Sequence, residues 1–406
     1  MRTRHAQLAF NEGGSSVIKW NEYVDMLKPA GKLIAQTWAP DNPQVQADLC
    51  RQLAMNISQG YFLICQSTPE HPDWAPFENS VFMLQPNPDS TYWYAPVTGE
   101  ATYRITGERG NSPVVGFATG KVMIGMGMPP GPGYNNYDVD DLKLEKDGSF
   151  EVIFSKERPA GHTGNWCYLH PEARFILLRQ FSYDWGREKD VRLAIERLDS
   201  PPLKPQLTPE DIDRQLRHLF GTYTECLTQT ALGAVARVRD GGFVNKMHLH
   251  TFQDLGNGND WPQAYFECVF DIAADEALIL ETELPDKRPY WNVQVIDGLW
   301  NQVELVYRNS SLNGHQAAVD ADGKFRAVLS VEDPGVQNWL DTGGYTHGML
   351  IGRWYRCSSH PVPQLTKVKL KDVRKHLPTT TPTFGVEQRA EQLRRRRIGA
   401  QLRRRW

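Results

Sequence analysis

Apolar side chains recur every three or four positions in the parts of the chain that we expect to be helical. The stretches are residues 16–36, 42–64 and 208–237. This spacing gives each helix one buried face. Asp41 or Asn42 caps the second helix and Thr208 caps the third, and each has a proline in its first turn, as is typical of helix starts. The pattern therefore predicts two helical segments before residue 65 and one in the middle of the chain.

Elsewhere the pattern alternates between apolar and polar positions, which is typical of β-strands with one buried face. Residues 81–115 alternate in this way, and strands resume at about residue 262 and continue to Cys357. Between them, residues 125–138 hold four glycines and three prolines. This composition predicts an exposed loop that is able to act as a lid.

One segment of the chain occurs twice. Residues 147–183 and 322–357 both open Asp-Gly-x-Phe, pass through an apolar strand to a serine, and end in an apolar strand that carries an arginine. The matched pairs are Asp147/Asp322, Gly148/Gly323, Phe150/Phe325, Ser155/Ser330, Glu157/Glu332, Pro159/Pro334, Asn165/Asn338, Trp166/Trp339 and Arg179/Arg353. The repeat indicates two related halves. We predict an α+β fold with tandem duplicated antiparallel β-sandwich or jelly-roll halves, each preceded by helices.

The predicted elements divide the chain into five regions. They are a helical N-terminal region (1–80), a first β-sandwich half (81–206), a helix and connector (207–261), a second β-sandwich half (262–370), and a Thr/Pro linker with an Arg-rich helical tail (371–406). A chain of 406 residues is long enough for two or three domains, which agrees with this division.

Composition and charge exclude several classes of protein. The net charge of −3 gives no electrostatic field that would attract nucleic acid. The N-terminus lacks the apolar core of a secretory signal, and no apolar run is long enough to span a membrane. The six cysteines form no CxxC pair. Reduced thiols in a cytoplasmic protein are therefore expected.

The C-terminal tail carries the strongest local charge. Residues 386–406 contain eight arginines and two glutamates. We expect a helix that is solvated or that contacts another subunit, and we predict a homo-oligomer. Nucleic acid is disfavoured because no fold-level motif supports it, and a membrane surface is disfavoured because the apolar face of the tail is thin.

A polar cluster at the start of a predicted strand is the first candidate for chemistry. It comprises Asn87, Asp89 and Tyr92, with Tyr94 two positions further on. A plain Asx turn is the structural alternative. In the functional interpretation Asp89 transfers a proton, Tyr92 orients the ligand, and the other two contact it. Asp89 then needs a desolvated or charged neighbourhood to titrate near neutral pH.

The two duplicated arginines are the second candidate. Arg179 and Arg353 each interrupt an apolar strand, where a charge must be paired or must face a solvated site. A salt bridge to Asp184, Glu281 or Glu283 is one interpretation. Recognition of an anionic group, such as a carboxylate, is the other.

The pair His248 and His250 is a weak metal candidate. Side chains two positions apart on a strand point the same way, so both imidazoles could reach one ion. An incidental pair on a strand face is the alternative, and we predict no metal. We also predict no cofactor, because the chain contains neither a phosphate loop nor a dinucleotide fingerprint.

Two motifs resemble known families. The segment Gln85-Pro-Asn87-Pro-Asp89-Ser-Thr-Tyr92 resembles the Pro-Asn-x-Asp-x-x-Tyr signature of the bacterial domain-of-unknown-function family 1254. Residues from about 265 to 357, with Asn338-Trp339-Leu340 and Arg353-Trp354-Tyr355, resemble its usual partner, family 1214. The resemblance implies tandem β-sandwich or jelly-roll domains and no particular reaction.

Two functional hypotheses follow from the sequence. The first is a cytoplasmic enzyme or enzyme-like protein that acts on a small organic molecule in an aromatic-lined pocket. The twelve tryptophans and fifteen tyrosines favour it. The alternative is a non-catalytic carbohydrate- or protein-binding and assembly protein, with the tail driving oligomerisation. The sequence leaves open whether the protein is catalytic.

Overall fold

The computed structural model describes residues 19–79, 81–251, 253–254 and 261–403. Its α-helices are α1 (Trp20–Asp25), α2 (Pro43–Ile64), α3 (Pro209–His218), α4 (Thr224–Asp240) and α5 (Val386–Leu402). Shorter 3₁₀ helices lie at Lys28–Gln36, Val139–Asp141 and Leu370–His376, and a π-helical turn at Leu219–Tyr223 joins α3 to α4. The predicted caps are present, since Asn42 accepts hydrogen bonds at the start of α2 and Thr208 forms a capping box at the start of α3.

Nine strands of the described chain belong to each half. Those of the first half are β1 (Ala75–Phe77), β2 (Ser90–Pro96), β3 (Tyr103–Glu108), β4 (Val114–Gly120), β5 (Gly133–Asp138), β6 (Ser149–Ser155), β7 (Asn165–Tyr168), β8 (Phe175–Phe181) and β9 (Arg192–Arg197). Those of the second half are β10 (His248–Thr251), β11 (Gln263–Asp271), β12 (Glu276–Thr282), β13 (Tyr290–Asp297), β14 (Ser311–Asn313), β15 (Phe325–Ser330), β16 (Trp339–Asp341), β17 (His347–Tyr355) and β18 (Gln364–Lys369).

The two halves have the same strand order. The first half has sheets β1-β2-β8-β4-β5 and β7-β6-β3-β9, and the second has β10-β11-β17-β13-β14 and β16-β15-β12-β18. Even the parallel pairs, β6–β7 and β15–β16, are equivalent. The predicted α+β fold with two duplicated β-rich halves is confirmed, whereas jelly-roll connectivity stays a prediction. The first strand of each half, β1 or β10, lies before the boundaries proposed at residues 81 and 262.

An apolar core lies between the two sheets of each half. Each core contains fully buried aromatic side chains. They are Tyr103, Phe117 and Phe154 in the first half, and Phe270, Phe325 and Trp354 in the second. Helices α2 and α4 pack against each other beside the sheets, where the Asn56 side chain donates to the Thr228 hydroxyl at 2.7 Å. Within the described residues, no helix combines the length and apolar composition needed to cross a membrane.

The five-stranded sheets of the two halves face each other through a cluster of aromatic rings. Phe181 and Val114 of the first half pack against Tyr290 and Tyr355 of the second, with Trp261 beside them. The Phe181 ring centroid lies 4.6 Å from that of Tyr290 and 5.5 Å from that of Tyr355. These buried contacts fix one half against the other.

The matched asparagines of the repeat perform the same structural task in both halves. Asn338 donates to the carbonyls of Ala318 and Arg326 and accepts the N–H of Ala318. Asn165 makes the equivalent three hydrogen bonds in the first half. The amide therefore ties a loop to the β-sheet, which explains why it occurs in both copies.

We predict that Asn338→Ala lowers the free energy of unfolding by about 1–3 kcal/mol, because three backbone groups lose their partner in a buried place. Asn165→Ala is the matched control and should cost less, since Asn165 is half-buried and water can replace its bonds. Urea denaturation of both variants provides the measurement. Equal losses, or no loss for Asn338→Ala, would contradict this assignment.

The Arg-rich tail is neither fully solvated nor free. Arg389, Arg396 and Arg403 are spaced seven residues apart, and all three are buried against their own chain. Arg396 donates to the carbonyls of Leu305 and Ser311 and to the Ser311 hydroxyl at 2.6–2.9 Å. The expectation of a solvated or subunit-contacting helix is therefore wrong for these arginines. The predicted homo-oligomer stays a prediction.

We expect Arg396→Met to lower the free energy of unfolding by about 2–3 kcal/mol, because three buried acceptors lose their donor. Arg395→Met is the control, since Arg395 is exposed and forms an ion pair with Glu391 on the same helix. A surface pair of this kind contributes about 0.3–0.5 kcal/mol. Thermal and urea unfolding measure both effects, and comparable values for the two variants would rule out a structural role for the tail.

Candidate functional site

A cavity of about 230 Å³ lies between the two halves. Its walls come from β2 and β8 of the first half, β11 and β17 of the second, helix α4, and the loops that precede β2 and β5. A larger groove of about 900 Å³ runs along α5, but its lining includes exposed side chains such as Arg187 and Leu402. The smaller cavity is the better candidate for a functional site because both duplicated arginines, Arg179 and Arg353, line it.

Each half contributes a tyrosine and an arginine to the cavity. Tyr92 and Arg179 are cross-strand partners on β2 and β8, and Tyr265 and Arg353 are cross-strand partners on β11 and β17. The Arg353 guanidinium lies 5.4 Å from the centre of the Tyr265 ring, and that of Arg179 lies 5.1 Å from the centre of the Trp261 ring. The duplication thus brings two cations with aromatic neighbours into one cavity.

Arg353 is held by neutral acceptors. Its Nη1 donates to Gln294 Oε1 at 2.6 Å and to Asn292 Oδ1 at 3.4 Å, and its Nη2 donates to the Gln85 carbonyl at 2.9 Å. These contacts orient the guanidinium through neutral oxygen atoms.

Two carboxylates suggested as partners of the arginines contact other basic side chains. Glu281 pairs with Lys324 and Arg326, and Asp184 lies near Arg187. A salt bridge between Glu281 and Arg353 is therefore wrong. A pair of Arg179 with Asp184, or of either arginine with Glu283, stays a prediction.

Glu78 is the acidic group of the cavity that sequence reasoning missed. Its side chain lines the cavity, and its backbone has a left-handed φ of 56°. Its N–H donates to Gln59 Oε1 at 2.8 Å. Burial raises the pKa of Glu78 to about 8, although the charges of Arg179 and Arg353 act in the opposite direction. A carboxyl group with this pKa changes protonation state close to neutral pH.

Left-handed backbone is concentrated around this wall of the cavity. Besides Glu78, the residues Phe82, Leu84, Gln85 and Trp300 have φ values between 55° and 70°. The Gln85 N–H donates to the Trp300 carbonyl at 2.7 Å, which ties the two segments together. Such conformations cost roughly 1–3 kcal/mol each and gather at functional sites.

The tyrosines of the predicted site occupy different places. Tyr92 lines the cavity, where burial, together with the charge of Glu78, raises its pKa to about 12. Tyr94 is buried in a neighbouring apolar cluster and stacks on Phe175, with ring centroids 6.2 Å apart. Burial also raises the pKa of Tyr94. Both phenols are therefore neutral at pH 7, and only Tyr92 borders the cavity.

Asn87 and Asp89 lie at the junction of the two halves. Asn87 Oδ1 accepts the N–H of Asp89 at 3.0 Å, which is the Asx turn expected from the sequence. The Asp89 carboxylate accepts four hydrogen bonds, from Trp185 Nε1, Tyr290 Oη, Asn292 Nδ2 and Asn313 Nδ2. This environment favours a structural role for Asp89, and its role in proton transfer stays a prediction.

His248 and His250 point to the same side of β10, as expected for alternate strand positions. Their Nε2 atoms lie 3.4 and 3.0 Å from Glu267 Oε1, and Arg237 Nη2 lies 3.0 Å from the same oxygen. Burial alone raises the pKa of Glu267, but these three groups outweigh burial and hold it well below its usual range. The described residues contain no group of three or more His, Cys, Asp or Glu side chains that could hold a metal ion.

The Gly/Pro-rich segment is only partly a loop. Residues 133–138 form strand β5, so the predicted loop over 125–138 is too long. Residues 122–124 and 130–133 line the cavity. The remaining loop thus covers one side of the cavity, and its role as a lid stays a prediction.

The fold and the cavity define a class of protein with two tandem β-sandwiches and a small cavity between them. Residues 89–182 and 272–359 both match the family "Protein of unknown function (DUF1214)". The resemblance expected for the second half is confirmed and extends to the first. The likeness of the N-terminal motif to family 1254 is not confirmed, because Asp89 and Tyr92 fall within the first DUF1214 match.

One solved structure supports this fold, and a second shows weaker similarity. The crystal structure of an uncharacterised protein from Burkholderia cenocepacia has a TM-score of 0.77 and 27% sequence identity, and the match covers 87% of this chain and 97% of that chain. The VPA0106 protein from Vibrio parahaemolyticus has a TM-score of 0.46 and 11% identity over 86% of this chain and 100% of that chain. No curated protein shows significant sequence similarity.

We expect Asp89→Asn to lower the free energy of unfolding by about 2–4 kcal/mol. The asparagine NH2 group would replace a carboxylate oxygen that accepts hydrogen bonds, so two hydrogen-bond donors would face each other. The exposed Asp141→Asn is the control and should change stability by less than about 0.5 kcal/mol. Urea denaturation followed by tryptophan fluorescence measures both. A variant of Asp89 with unchanged stability and lost turnover of an identified substrate would instead establish its catalytic role.

Proposed function

We propose that the cavity between the two halves binds a small organic carboxylate, as the binding site of an enzyme or enzyme-like protein. The observation that carries this proposal is the presence of Arg179 and Arg353, from equivalent strands of the duplicated halves, in one cavity. A planar guanidinium matches the geometry of a carboxylate and is weakly enough hydrated to operate in a buried site.

The size and lining of the cavity support a small ligand with an apolar body. Its volume of about 230 Å³ equals roughly eight water molecules at about 30 Å³ each. Apolar side chains on its walls include Phe77, Leu177, Phe181 and Trp300. Such a lining favours an aliphatic or aromatic body, while the arginines contact the charged end.

The site residues named from the sequence take unequal parts in this proposal. Arg179, Arg353 and Tyr92 border the cavity and are assigned to ligand binding. Asn87 and Asp89 support the junction beside it, and Tyr94 lies behind the wall. The roles of Asp89 and Tyr92 in proton transfer stay predictions. The volume of about 230 Å³ and the position between the two halves favour a small molecule over the alternative of carbohydrate or protein recognition.

Benzoate is a suitable probe, because it combines one carboxylate with a compact apolar ring. We expect the protein to bind benzoate and to bind the neutral isostere benzamide much less tightly. Arg179→Met should weaken benzoate binding by about 10- to 100-fold, the value of a lost charged hydrogen bond. Arg179→Lys should retain part of the affinity. Isothermal titration calorimetry at pH 7 provides the dissociation constants.

Arg187→Met is the matched control, because Arg187 is exposed and lies outside the cavity. It should bind benzoate as the unmodified protein does. Arg353→Met should also weaken benzoate binding. Because Arg353 additionally donates hydrogen bonds to Gln294 and to the Gln85 carbonyl, circular dichroism is needed to check that this variant folds. Equal affinity of the Arg179→Met variant and the unmodified protein would refute the proposal.

A further inference from the structure

Glu78 occupies the same small cavity as the two arginines. In a space of about 230 Å³, a ligand carboxylate and an ionised Glu78 lie close enough to repel each other. A protonated Glu78 instead offers an O–H donor to the ligand. We propose that Glu78 binds the ligand as a neutral acid: it holds one proton and donates a hydrogen bond to the carboxylate. This inference rests on the function proposed above.

The backbone holds Glu78 at this position. Its N–H donates to Gln59 Oε1 at 2.8 Å, and its carbonyl accepts the N–H groups of Val81 and Phe82 at 3.2 and 2.7 Å. Both sides of the residue are therefore fixed, and its left-handed φ of 56° is maintained by these bonds. The backbone position from which the Glu78 side chain reaches the cavity is therefore fixed.

Several charged or titratable groups face Glu78 from the surrounding elements. They are Tyr92 of β2, Arg179 of β8, Tyr223 of the π-helical turn, Tyr265 of β11 and Arg353 of β17. Burial raises the pKa of all three tyrosines, that of Tyr92 to about 12, so they stay neutral below pH 10. Glu78, with a pKa of about 8, is the member of this set that burial brings close to neutral pH.

Another ion group lines the cavity at a different wall. Glu267 lies there with His250 and Arg237, and hydrogen bonds from His248 and His250, together with the charge of Arg237, hold the pKa of Glu267 well below its usual range. Glu267 is therefore ionised at every pH above 5. A change in ligand affinity between pH 8 and 9.5 does not arise from this carboxylate.

The sign of the pH dependence follows from these groups. The free protein holds the Glu78 proton below pH 8 and loses it as the pH rises through about 8. A bound carboxylate raises the pKa further, because it is a like charge. Between pH 6 and 7 the Glu78 proton therefore adds no pH dependence to binding, and above pH 8 binding weakens by about tenfold per pH unit because a proton must be taken up.

The experiment is calorimetric titration of benzoate between pH 6 and 9.5, in two buffers with different heats of ionisation. We expect uptake of close to one proton at pH 9 and close to none at pH 6.5. Glu78→Gln, which keeps a neutral donor, should bind benzoate at pH 7 within a few-fold of the unmodified protein, with no proton uptake at pH 9. Glu78→Met should bind more weakly and also without pH dependence.

Glu100→Gln is the control, because Glu100 is exposed and remote from the cavity; it should keep the pH dependence of the unmodified protein. Benzoate binding that is independent of pH up to 9.5, or a Glu78→Gln variant that still takes up a proton, would overturn the role of Glu78 and leave the carboxylate site intact. Absence of benzoate binding at every pH would overturn the site and this inference together.

Discussion

The buried carboxylate of Asp89 is the constraint on which the arrangement of the two halves depends. Asp89 belongs to the first half and is 1% exposed, yet three of its four donors belong to the second half. A buried charge is strongly destabilising unless it is paired or fully hydrogen-bonded. The chain therefore reaches its stable state only when both halves and the segment around Trp185 meet at this carboxylate. The guanidiniums of Arg396 and Arg403 lie 4.8 and 5.1 Å from the Trp185 ring, so the tail completes the same junction.

Once the halves are fixed in this way, the duplication determines what the cavity contains. Arg179 and Arg353 are equivalent by sequence and by strand register. Because the two sheets face each other, these two equivalent arginines lie in the same cavity. Neither half alone encloses the space, since walls come from both. The site is thus a property of the tandem arrangement, and a single half would present one arginine to solvent.

The sequence was sufficient for architecture because the repeat and the alternating pattern are local signals. Matched residues such as Asn165 and Asn338 perform local tasks that every copy of the hairpin needs, so they identify two halves. The interpretation of Arg179 and Arg353 as anion-binding groups rested on a charge in an apolar strand, which is also local. Glu78 gave no such signal, because its importance comes from a left-handed backbone and from distant strands. The seven-residue spacing of Arg389, Arg396 and Arg403 was visible, but the acceptors that bury them lie up to 315 positions away.

The two halves have diverged where their strands border the cavity, and this divergence gives the site a direction. In the first half, Gly116 of β4 lies opposite Arg179, and Ala118 follows two positions later on the same face. The equivalent positions of β13, opposite and beside Arg353, are Asn292 and Gln294. The second half thus supplies the amides that orient its arginine, whereas the first half has small residues at these positions and places the Arg179 guanidinium 5.1 Å from the centre of the Trp261 ring. A carboxylate between the two guanidiniums would meet a rigidly held donor on one side and an aromatic wall on the other. Symmetric duplication followed by asymmetric substitution therefore yields an oriented site, which neither exact repetition nor unrelated halves would provide.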